Sequence, residues 1–147
     1  MSSQQPYCTF YLGPYLFGVG VGEVQEIIRH QPITRVPLSH PVFSGLINLR
    51  GAIVTTIDLR RRFELEDRPA GALPMNVIVR YGEMPVSLLV DRIGDVVEAG
   101  AETFEPPPDT LTGEARALIR GTYKLRESLL LVLDINKTCG LGAAVGV

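Results

Sequence analysis

A mostly β fold is the class that this sequence predicts, on the strength of two observations. Short apolar and β-branched runs alternate with turn residues along the chain, which is typical of strands joined by tight turns. Glycine and proline are abundant, with 15 and 11 of the 147 residues, and this favours short elements over a helical bundle. Hydrophobic residues make up 46% and charged residues 20%, so we expect a packed core rather than a disordered chain.

Charge and cysteine usage exclude several classes of protein. The net charge is −2, so the chain lacks the basic field that holds a nucleic-acid backbone, and we expect no nucleic-acid partner. The N-terminal segment has no basic start and does not resemble a signal peptide, and no apolar run is long enough for membrane insertion. Cys8 and Cys139 do not suggest a secreted disulfide scaffold. We therefore expect a cytoplasmic protein.

The first half of the chain predicts strands and two short helical segments. The predicted strands cover residues 7–12, 15–19, 33–36, 46–49 and 52–58. Residues 22–29 carry apolar side chains at i, i+3 and i+4, which predicts a short amphipathic helix. Residues 59–63 predict a single helical turn, and we expect three consecutive arginines on its exposed side: Arg60, Arg61 and Arg62.

The second half is again rich in strands. A linker is predicted near residues 67–74, where proline, glycine and alanine are concentrated. The strands that follow are predicted over residues 76–80, 85–90, 93–97, 119–125 and 129–134. We expect residues 106–108, three consecutive prolines, to form an extended connection and residues 140–147 to form a flexible tail.

Three apolar strands end in aspartate, at Asp58, Asp91 and Asp134. Carboxylates perform acid–base chemistry only when they converge in a cleft and their pKa values are shifted. The other interpretation is that each one caps the following turn or pairs with a nearby arginine. Because Asp58 and Asp134 directly precede predicted turns, the sequence favours capping, and we expect no catalytic residues.

Metal and cofactor motifs are weak in this chain. His30 and His40, together with the two cysteines, lack the close spacing of a zinc site, so we expect no metal. Gly18, Gly20 and Gly22 resemble a dinucleotide loop, but prolines follow soon afterwards and leave no room for the parallel βαβ unit that such a loop requires. These glycines are more consistent with strand bending or close backbone approach, and we expect no cofactor.

One further feature is the hairpin tip at residues 48–51. Arg50 is followed by Gly51, which can supply the positive φ of a tight turn, so a rigid frame would project the guanidinium outward. A solvated turn arginine is equally consistent with the residues alone, and the sequence leaves both interpretations open.

Several segments, taken in order, carry a resemblance to a known family. In the first half they are Val24-Gln-Glu26-Ile-Ile, Ile33-Thr-Arg35-Val-Pro37, Gly45-Leu-Ile-Asn-Leu-Arg50-Gly51 and Ile57-Asp58-Leu-Arg60. In the second half they are Leu88-Leu-Val-Asp91-Arg-Ile-Gly-Asp95, Glu105-Pro106-Pro-Pro108 and Leu129-Leu-Leu-Val-Leu-Asp134. The combination resembles the CheW family of chemotaxis coupling proteins over residues 7–139, which we expect to form one CheW-like domain.

The resemblance implies a fold and a function. The implied fold is two intertwined SH3-like five-stranded β-barrels with a shared hydrophobic seam and a few short helices. The implied function is a non-enzymatic adaptor that binds the regulatory domain of a CheA-type histidine kinase and the cytoplasmic tip of a chemoreceptor. The receptor-facing residues of the family correspond here to Val24, Glu26, Gly45 and Arg50.

Departures from the family pattern keep other functions open. The stretch from Thr138 onward lacks the charged terminal helix of many relatives, and Thr55-Thr56 replaces residues that are often Val or Pro. The pathway served is therefore open between flagellar chemotaxis and a parallel signalling system. The first alternative function is a self-associating regulatory scaffold module not tied to motility. The second is a small barrel enzyme that uses the three strand-end aspartates.

Overall fold

The computed structural model describes residues 4–35, 41–111 and 113–140. Within these ranges the chain is built from short strands and three helices of one turn or little more. The strands are β1 (Gln5–Leu12), β2 (Tyr15–Gly20), β3 (Val24–Ile28), β4 (Phe43–Leu49), β5 (Ala52–Asp58), β6 (Met75–Tyr81), β7 (Met84–Val90), β8 (Arg92–Ala99), β9 (Phe104–Glu105), β10 (Ile119–Lys124) and β11 (Leu129–Leu133). The helices are α1 (Leu59–Arg62), α2 (Gly113–Ala117) and α3 (Ile135–Cys139).

The strands form two sheets that the chain builds in an interleaved order. The first sheet has the order β8-β1-β2-β11-β10-β9, and the second has the order β3-β6-β7-β5-β4. The chain therefore starts in the first sheet, builds the whole of the second, and returns to complete the first. Each sheet contains one parallel contact, β2 with β11 and β5 with β7, and these contacts join hairpins that are distant in sequence.

Three apolar clusters fill the molecule, and alternation along the strands explains them. Successive strand residues point to opposite faces of a sheet. In β11, Leu131 packs into the central cluster between the sheets, whereas Leu130 packs into a cluster formed by the first sheet alone. In β6, Val79 joins the central cluster and Ile78 a cluster within the second sheet. Each sheet thus buries both faces: one lines a barrel interior and the other forms the shared seam.

The second sheet closes on itself through the segment that follows β3. Thr34 and Leu46 exchange two backbone hydrogen bonds of 2.8 Å, so the edge strand β4 is paired on both sides. The exposed backbone of a sheet edge is thereby removed. This closure brings the far end of β4 towards β3, which is the region where the candidate site lies.

The mostly β class with two barrels and a shared seam is confirmed, with one difference in detail. The first sheet has a sixth strand because the two-residue β9 pairs with β10 through Thr122 and Tyr123. The segment 67–74 connects α1 to β6 and therefore joins two parts of the second sheet. It does not mark a boundary between the two sheets.

The helix predicted over residues 22–29 was wrong. Only Val21–Glu23 turns, as a short 3-10 segment, and Val24–Ile28 is strand β3. A register shift between Val24 and Glu26 breaks the strand's alternation, so that Val24 packs on the central cluster and Ile28 on the second-sheet cluster. Such a bulge brings residues three apart, here Val24 and Ile27, to one face of the strand, and this spacing imitates part of a helical pattern.

The expectation of three exposed arginines in α1 was also wrong. Consecutive helical residues are rotated by about 100°, so three of them cannot share one face. The side chain of Arg61 is 43% exposed, whereas those of Arg60 and Arg62 are 14% and 7% exposed. Arg62 donates to the carbonyls of Lys137 and Thr138 and so holds the end of α3.

Some expectations fall partly or wholly outside the described residues. These are the proposed tail beyond Gly140, the position of His40, and the end of the strand expected over 33–36. The described part of that strand is a single bridge at Thr34.

Candidate functional site

The four residues expected to bind a partner lie at the closure of the second barrel. Val24 and Glu26 are on β3, Gly45 is on β4, and Arg50 lies in the turn between β4 and β5. The strands β3 and β4 are at opposite ends of the sheet order, so only barrel closure brings these residues near one another. The sequence separation between the two pairs gave no indication of this proximity.

Arg50 and Glu26 form a two-point ion pair across that closure. Arg50 Nη1 donates to Glu26 Oε1 at 3.1 Å, and Nη2 makes a second, shorter contact with Oε2. The hydrogen bond and charge of Glu26 raise the pKa of Arg50 above its ordinary value. The arginine side chain is 70% exposed and that of the glutamate 24% exposed. An exposed pair of this kind adds little to stability, so its main effect is to fix where the two charges stand.

The turn that carries Arg50 is tight and internally bonded. Arg50 and Gly51 have φ values of 52° and 90°, the positive pair that a two-residue hairpin turn of the primed type requires. The Gly51 N–H donates to Asn48 Oδ1 at 2.8 Å. The turn therefore presents Arg50 from a rigid frame, which is one of the two interpretations that the sequence left open.

Gly45 serves the frame and is buried. Its φ is +139°, and a Cβ built there would lie 2.1 Å from the carbonyl oxygen of Thr34. Thr56 Oγ1 also donates to the Gly45 carbonyl at 3.0 Å. The glycine allows the segment after β3 to cross β4 closely, so any influence of Gly45 on a partner acts through the shape of the closure.

Two exposed apolar side chains beside this site were missed. Ile27 follows Glu26 on β3 and is 38% exposed, and Ile53 pairs with Asn48 next to the turn and is 63% exposed. A strand assignment for residues 24–28 would have placed Ile27 on the face opposite Ile28, because strand residues alternate. We use the name closure surface for Val24, Glu26, Ile27, Arg50 and Ile53.

The three strand-end aspartates have local roles. Asp58 accepts a hydrogen bond from the Arg60 N–H at 3.0 Å, and Asp134 accepts one from the Lys137 N–H at 3.0 Å, so both cap short helices. Both carboxylate oxygens of Asp91 accept hydrogen bonds from Arg60, from Nε at 2.9 Å and from Nη2 at 2.6 Å. The capping and pairing predicted from the sequence is what the structure contains.

The environment of Asp91 holds it ionised. Partial burial alone would raise its pKa, but hydrogen bonds from Arg60 and from the Gly13 N–H, with the charge of Arg60 and a hydrogen bond from Arg68, lower the pKa to about 2. A general acid or base near neutral pH needs the opposite shift. Asp91 is therefore a structural anchor that joins the β1–β2 turn, α1 and the end of β7.

Histidine and cysteine side chains show no metal arrangement within residues 4–35, 41–111 and 113–140. Cys8 and Cys139 are both free thiols. Burial raises the pKa of Cys139 to about 12, which keeps it in the unreactive thiol form.

The glycine motif near residues 18–22 has no dinucleotide context. It lies at the end of strand β2 and leads through a 3-10 turn into another strand. A Cβ on Gly18 would approach Leu130 Cδ1 to 2.9 Å, which agrees with the close packing expected of this glycine.

Comparison with known proteins assigns the chain to a family. The sequence profile of the CheW-like domain matches residues 6–140. This chain belongs to the CheW-like domain family. Among curated relatives, the chemotaxis protein CheW of Treponema pallidum is 32% identical over 133 residues, covering 88% of this chain and 78% of that protein. The chemotaxis protein CheW of Klebsiella aerogenes is 31% identical over 133 residues, covering 90% and 80%.

A solved CheW structure has the same fold. The scaffolding protein CheW from Thermoanaerobacter tengcongensis superposes with a TM-score of 0.82 at 26% identity, and the match covers 94% of each chain. Within the part of this CheW-like chain that the structure describes, no helix is long and apolar enough to cross a membrane.

Proposed function

We propose that this protein is a non-enzymatic chemotaxis adaptor that couples chemoreceptors to a CheA-type histidine kinase in the cytoplasm. The observation that carries the proposal is the family match along residues 6–140, shared with relatives named chemotaxis protein CheW. A likeness in fold alone would be weaker support, because one fold hosts many functions. Here sequence and fold agree over nearly the whole described chain.

The closure surface is suited to a receptor helix. Val24 and Ile27 offer apolar contact to the stripe of an amphipathic helix, while Glu26 and Arg50 offer opposite charges that set its register. The supporting strands are fixed by barrel closure and by the tight turn, so little ordering is required on binding. The proposed receptor site is therefore Val24, Glu26 and Arg50, with Gly45 shaping the strand crossing.

Glu26 and Arg50 are paired with one another in the free protein. A guanidinium has five N–H donors, and Glu26 accepts from two of them, so a receptor helix can offer a carboxylate or carbonyl to the others while the ion pair persists. A purely apolar helix would leave those donors without an acceptor, which is unfavourable at an interface.

The kinase contact is proposed to use exposed apolar side chains on strands. Val96 is 63% exposed and Phe104 is 59% exposed, which makes them the most exposed large apolar side chains on the described strands of the first sheet. Such residues fit association between barrels, because apolar side chains at the core of an interface supply most of its affinity.

The test of this proposal is a binding titration with the regulatory domain of each CheA-type kinase encoded in the same genome. Saturable one-to-one binding to one of these domains is the expected result, and it identifies the pathway. If the folded protein binds none of them and its size in solution grows with concentration, the self-associating scaffold replaces the adaptor.

A further inference from the structure

A cavity of about 360 Å³ lies beside the closure but shares no residue with the closure surface. It opens between the segment after β3, the start of β4, helix α1 and the connection that follows α1. Its volume is at the small end of the range for sites that hold small molecules, which is roughly 300–1,000 Å³. Its lining residues are His30, Ile33, Arg35, Phe43, Ser44, Asp58, Arg61, Arg68, Ala72, Leu73, Pro74 and Leu89.

The cavity combines apolar walls with a basic side. Ile33, Phe43 and Leu89 contribute aliphatic and aromatic surface, and Leu73 is 65% exposed. The polar lining includes three guanidinium groups and a single carboxylate. Such a mixture is typical of sites in which an apolar body is buried and a few polar groups fix its head.

The three arginines that line the cavity differ in how many hydrogen bonds and ion pairs they already make within the protein. Arg68 is committed to Asp91 at 2.8 Å and reaches Asp58 at 3.5 Å. Arg61 donates to Asp67 at 3.2 Å and to the carbonyl of Pro41 at 3.2 Å.

Arg35 is the lining arginine without an ion pair among the described residues. It makes no ion pair with any carboxylate of the described ranges, and its side chain is exposed. The lining carboxylate Asp58 is paired with Arg68, and the two carboxylates that pair with the lining arginines from outside the cavity, Asp67 and Asp91, are matched by Arg61 and by Arg60 with Arg68. The charge of Arg35 is therefore available to an anion.

His30 contributes part of the cavity wall. Its Nδ1 atom is buried and has no hydrogen-bond partner among the described residues. A buried atom is not within reach of a molecule in the cavity, so the imidazole supplies wall surface, and the polar recognition of a ligand head falls to the basic groups.

We propose that this cavity binds a small organic anion, a carboxylate or phosphate head carried on a compact apolar body. Arg35 and Arg61 bind the head, and the apolar wall of Phe43 and Leu89 holds the body. The proposal does not depend on the adaptor function, because it concerns the protein alone.

The test is an NMR titration of the full ¹⁵N-labelled chain with 3-phenylpropanoate, with its neutral amide, and with inorganic phosphate. The acid is expected to give saturable shifts at residues 30, 35, 44, 61 and 73, with a dissociation constant on the order of millimolar. The amide is expected to bind at least about tenfold more weakly, because it lacks the charge that the arginines recognise. Saturation by phosphate at the same residues assigns the site to anions with a phosphate head and supports the proposal.

Variants separate the site from general anion attraction. Arg35→Gln is expected to weaken binding of the acid by about tenfold, and it removes no hydrogen bond or ion pair that holds the fold. Arg80→Gln, an exposed arginine outside the lining, serves as the matched control and is expected to bind normally. Equal shifts with acid and amide, no saturation up to about 20 mM, or unchanged binding in Arg35→Gln would overturn the proposal.

Discussion

Gly45 stands where the backbone of the neighbouring segment leaves no room for a side chain. Two constraints coincide there, a φ of +139° and an approach of the Thr34 carbonyl to 2.1 Å from where a Cβ would be. Positive φ values are strained for other residues, and a backbone contact of that kind cannot be relieved by rotating a side chain. The barrel closure therefore depends on the absence of a side chain at this position.

Gly45→Ala is expected to lower the free energy of unfolding by about 3 kcal/mol or more, because it adds a steric clash to backbone strain. Gly51→Ala is the matched control: its φ is +90°, but nothing lies within 4 Å of the added carbon. That variant is expected to lose only about 1–2 kcal/mol. Urea denaturation compares the two, and equal losses would contradict the role assigned to the Thr34 contact.

The pH dependence of stability tests the role of Asp91. Its folded pKa of about 2 lies below the ordinary value of 3.8, so its contribution to stability is present above about pH 4 and is lost as the pH falls through about 2. Allowing for partial solvent screening, the contribution is about 1–2 kcal/mol. Asp91→Asn is expected to be less stable than the unmodified protein at pH 6, with the two stabilities converging towards pH 2.

Asp95→Asn is the control for that series, because Asp95 is exposed and its side chain makes no ion pair with a described residue. Its stability is expected to parallel that of the unmodified protein in urea titrations from pH 6 to pH 2. A constant gap between Asp91→Asn and the unmodified protein over that range would show that the charge of Asp91 is not what stabilises the junction.

At the scale of residues, the sequence predicted the local roles of side chains better than it predicted which distant side chains lie together. The capping by Asp58 and Asp134 followed from local order, since a cap and its helix are adjacent in the chain. The pairing of Glu26 with Arg50 could not follow in that way, because the partners are 24 residues apart and meet only when the barrel closes. The orphan atom of His30 likewise depends on surroundings that no local pattern specifies.

Helix α1 shows what three consecutive arginines do in a single turn. Arg60 points to Asp91, Arg61 reaches Asp67, and Arg62 is buried against α3. Arg62 satisfies two carbonyls at the C-terminal end of α3, where unpaired acceptors of a helix otherwise remain. Helix α1 is short, but its arginines bind the connection between α1 and β6, the carboxylate of Asp91 and the end of α3.

Arg62→Ala is expected to destabilise the protein by about 2–4 kcal/mol, because it leaves buried carbonyl groups without a donor. Arg61→Ala removes a neighbouring arginine whose side chain is largely solvated, and a loss of no more than about 1 kcal/mol is expected. Thermal unfolding of the two variants measures the difference. Similar melting temperatures would show that burial of Arg62 does not support α3.

At the scale of elements, most strands were predictable because the hydrophobic alternation and the turn residues agree. Strand β3 was the exception, since its bulge places Val24 and Ile28 on different faces of the sheet. A short segment with a bulge and a short helix share the same apolar spacing, so periodicity over seven or eight residues cannot separate them. Because residues 24–28 were assigned to a helix, Ile27 was not included in the predicted site.

At the scale of the molecule, the interleaved order of the sheets makes the barrels mutually dependent. The first sheet needs β1 and β2 from one end of the chain and β10 and β11 from the other, with the whole second sheet between them. The central cluster draws residues from both sheets. We propose that residues 7–139 fold as one unit, in spite of the linker-like composition of residues 67–74.

Unfolding in urea is expected to be a single cooperative transition. Far-UV circular dichroism and tyrosine fluorescence should give the same midpoint, because neither barrel retains its seam face without the other. Two separated transitions would contradict the single unit and would assign independent stability to one barrel.

The partner role of Arg50 can be separated from its place in the turn. Asn-Gly is a preferred pair for a two-residue turn of the primed type, so Arg50→Asn removes the guanidinium and keeps the positive φ that the turn needs. The fold is therefore expected to be retained. Arg126→Asn, at an exposed arginine in the connection between β10 and β11, is the matched control.

The most direct test of the adaptor account is co-sedimentation of a CheA-type kinase with assemblies of chemoreceptor cytoplasmic domains. The kinase is expected to sediment with the receptors when the unmodified protein or Arg126→Asn is present, and to do so much less with Arg50→Asn. Equal recovery of the kinase without this protein would contradict the claim that this protein links the two, and full recovery with Arg50→Asn would contradict the claim that it binds the receptor through the closure surface.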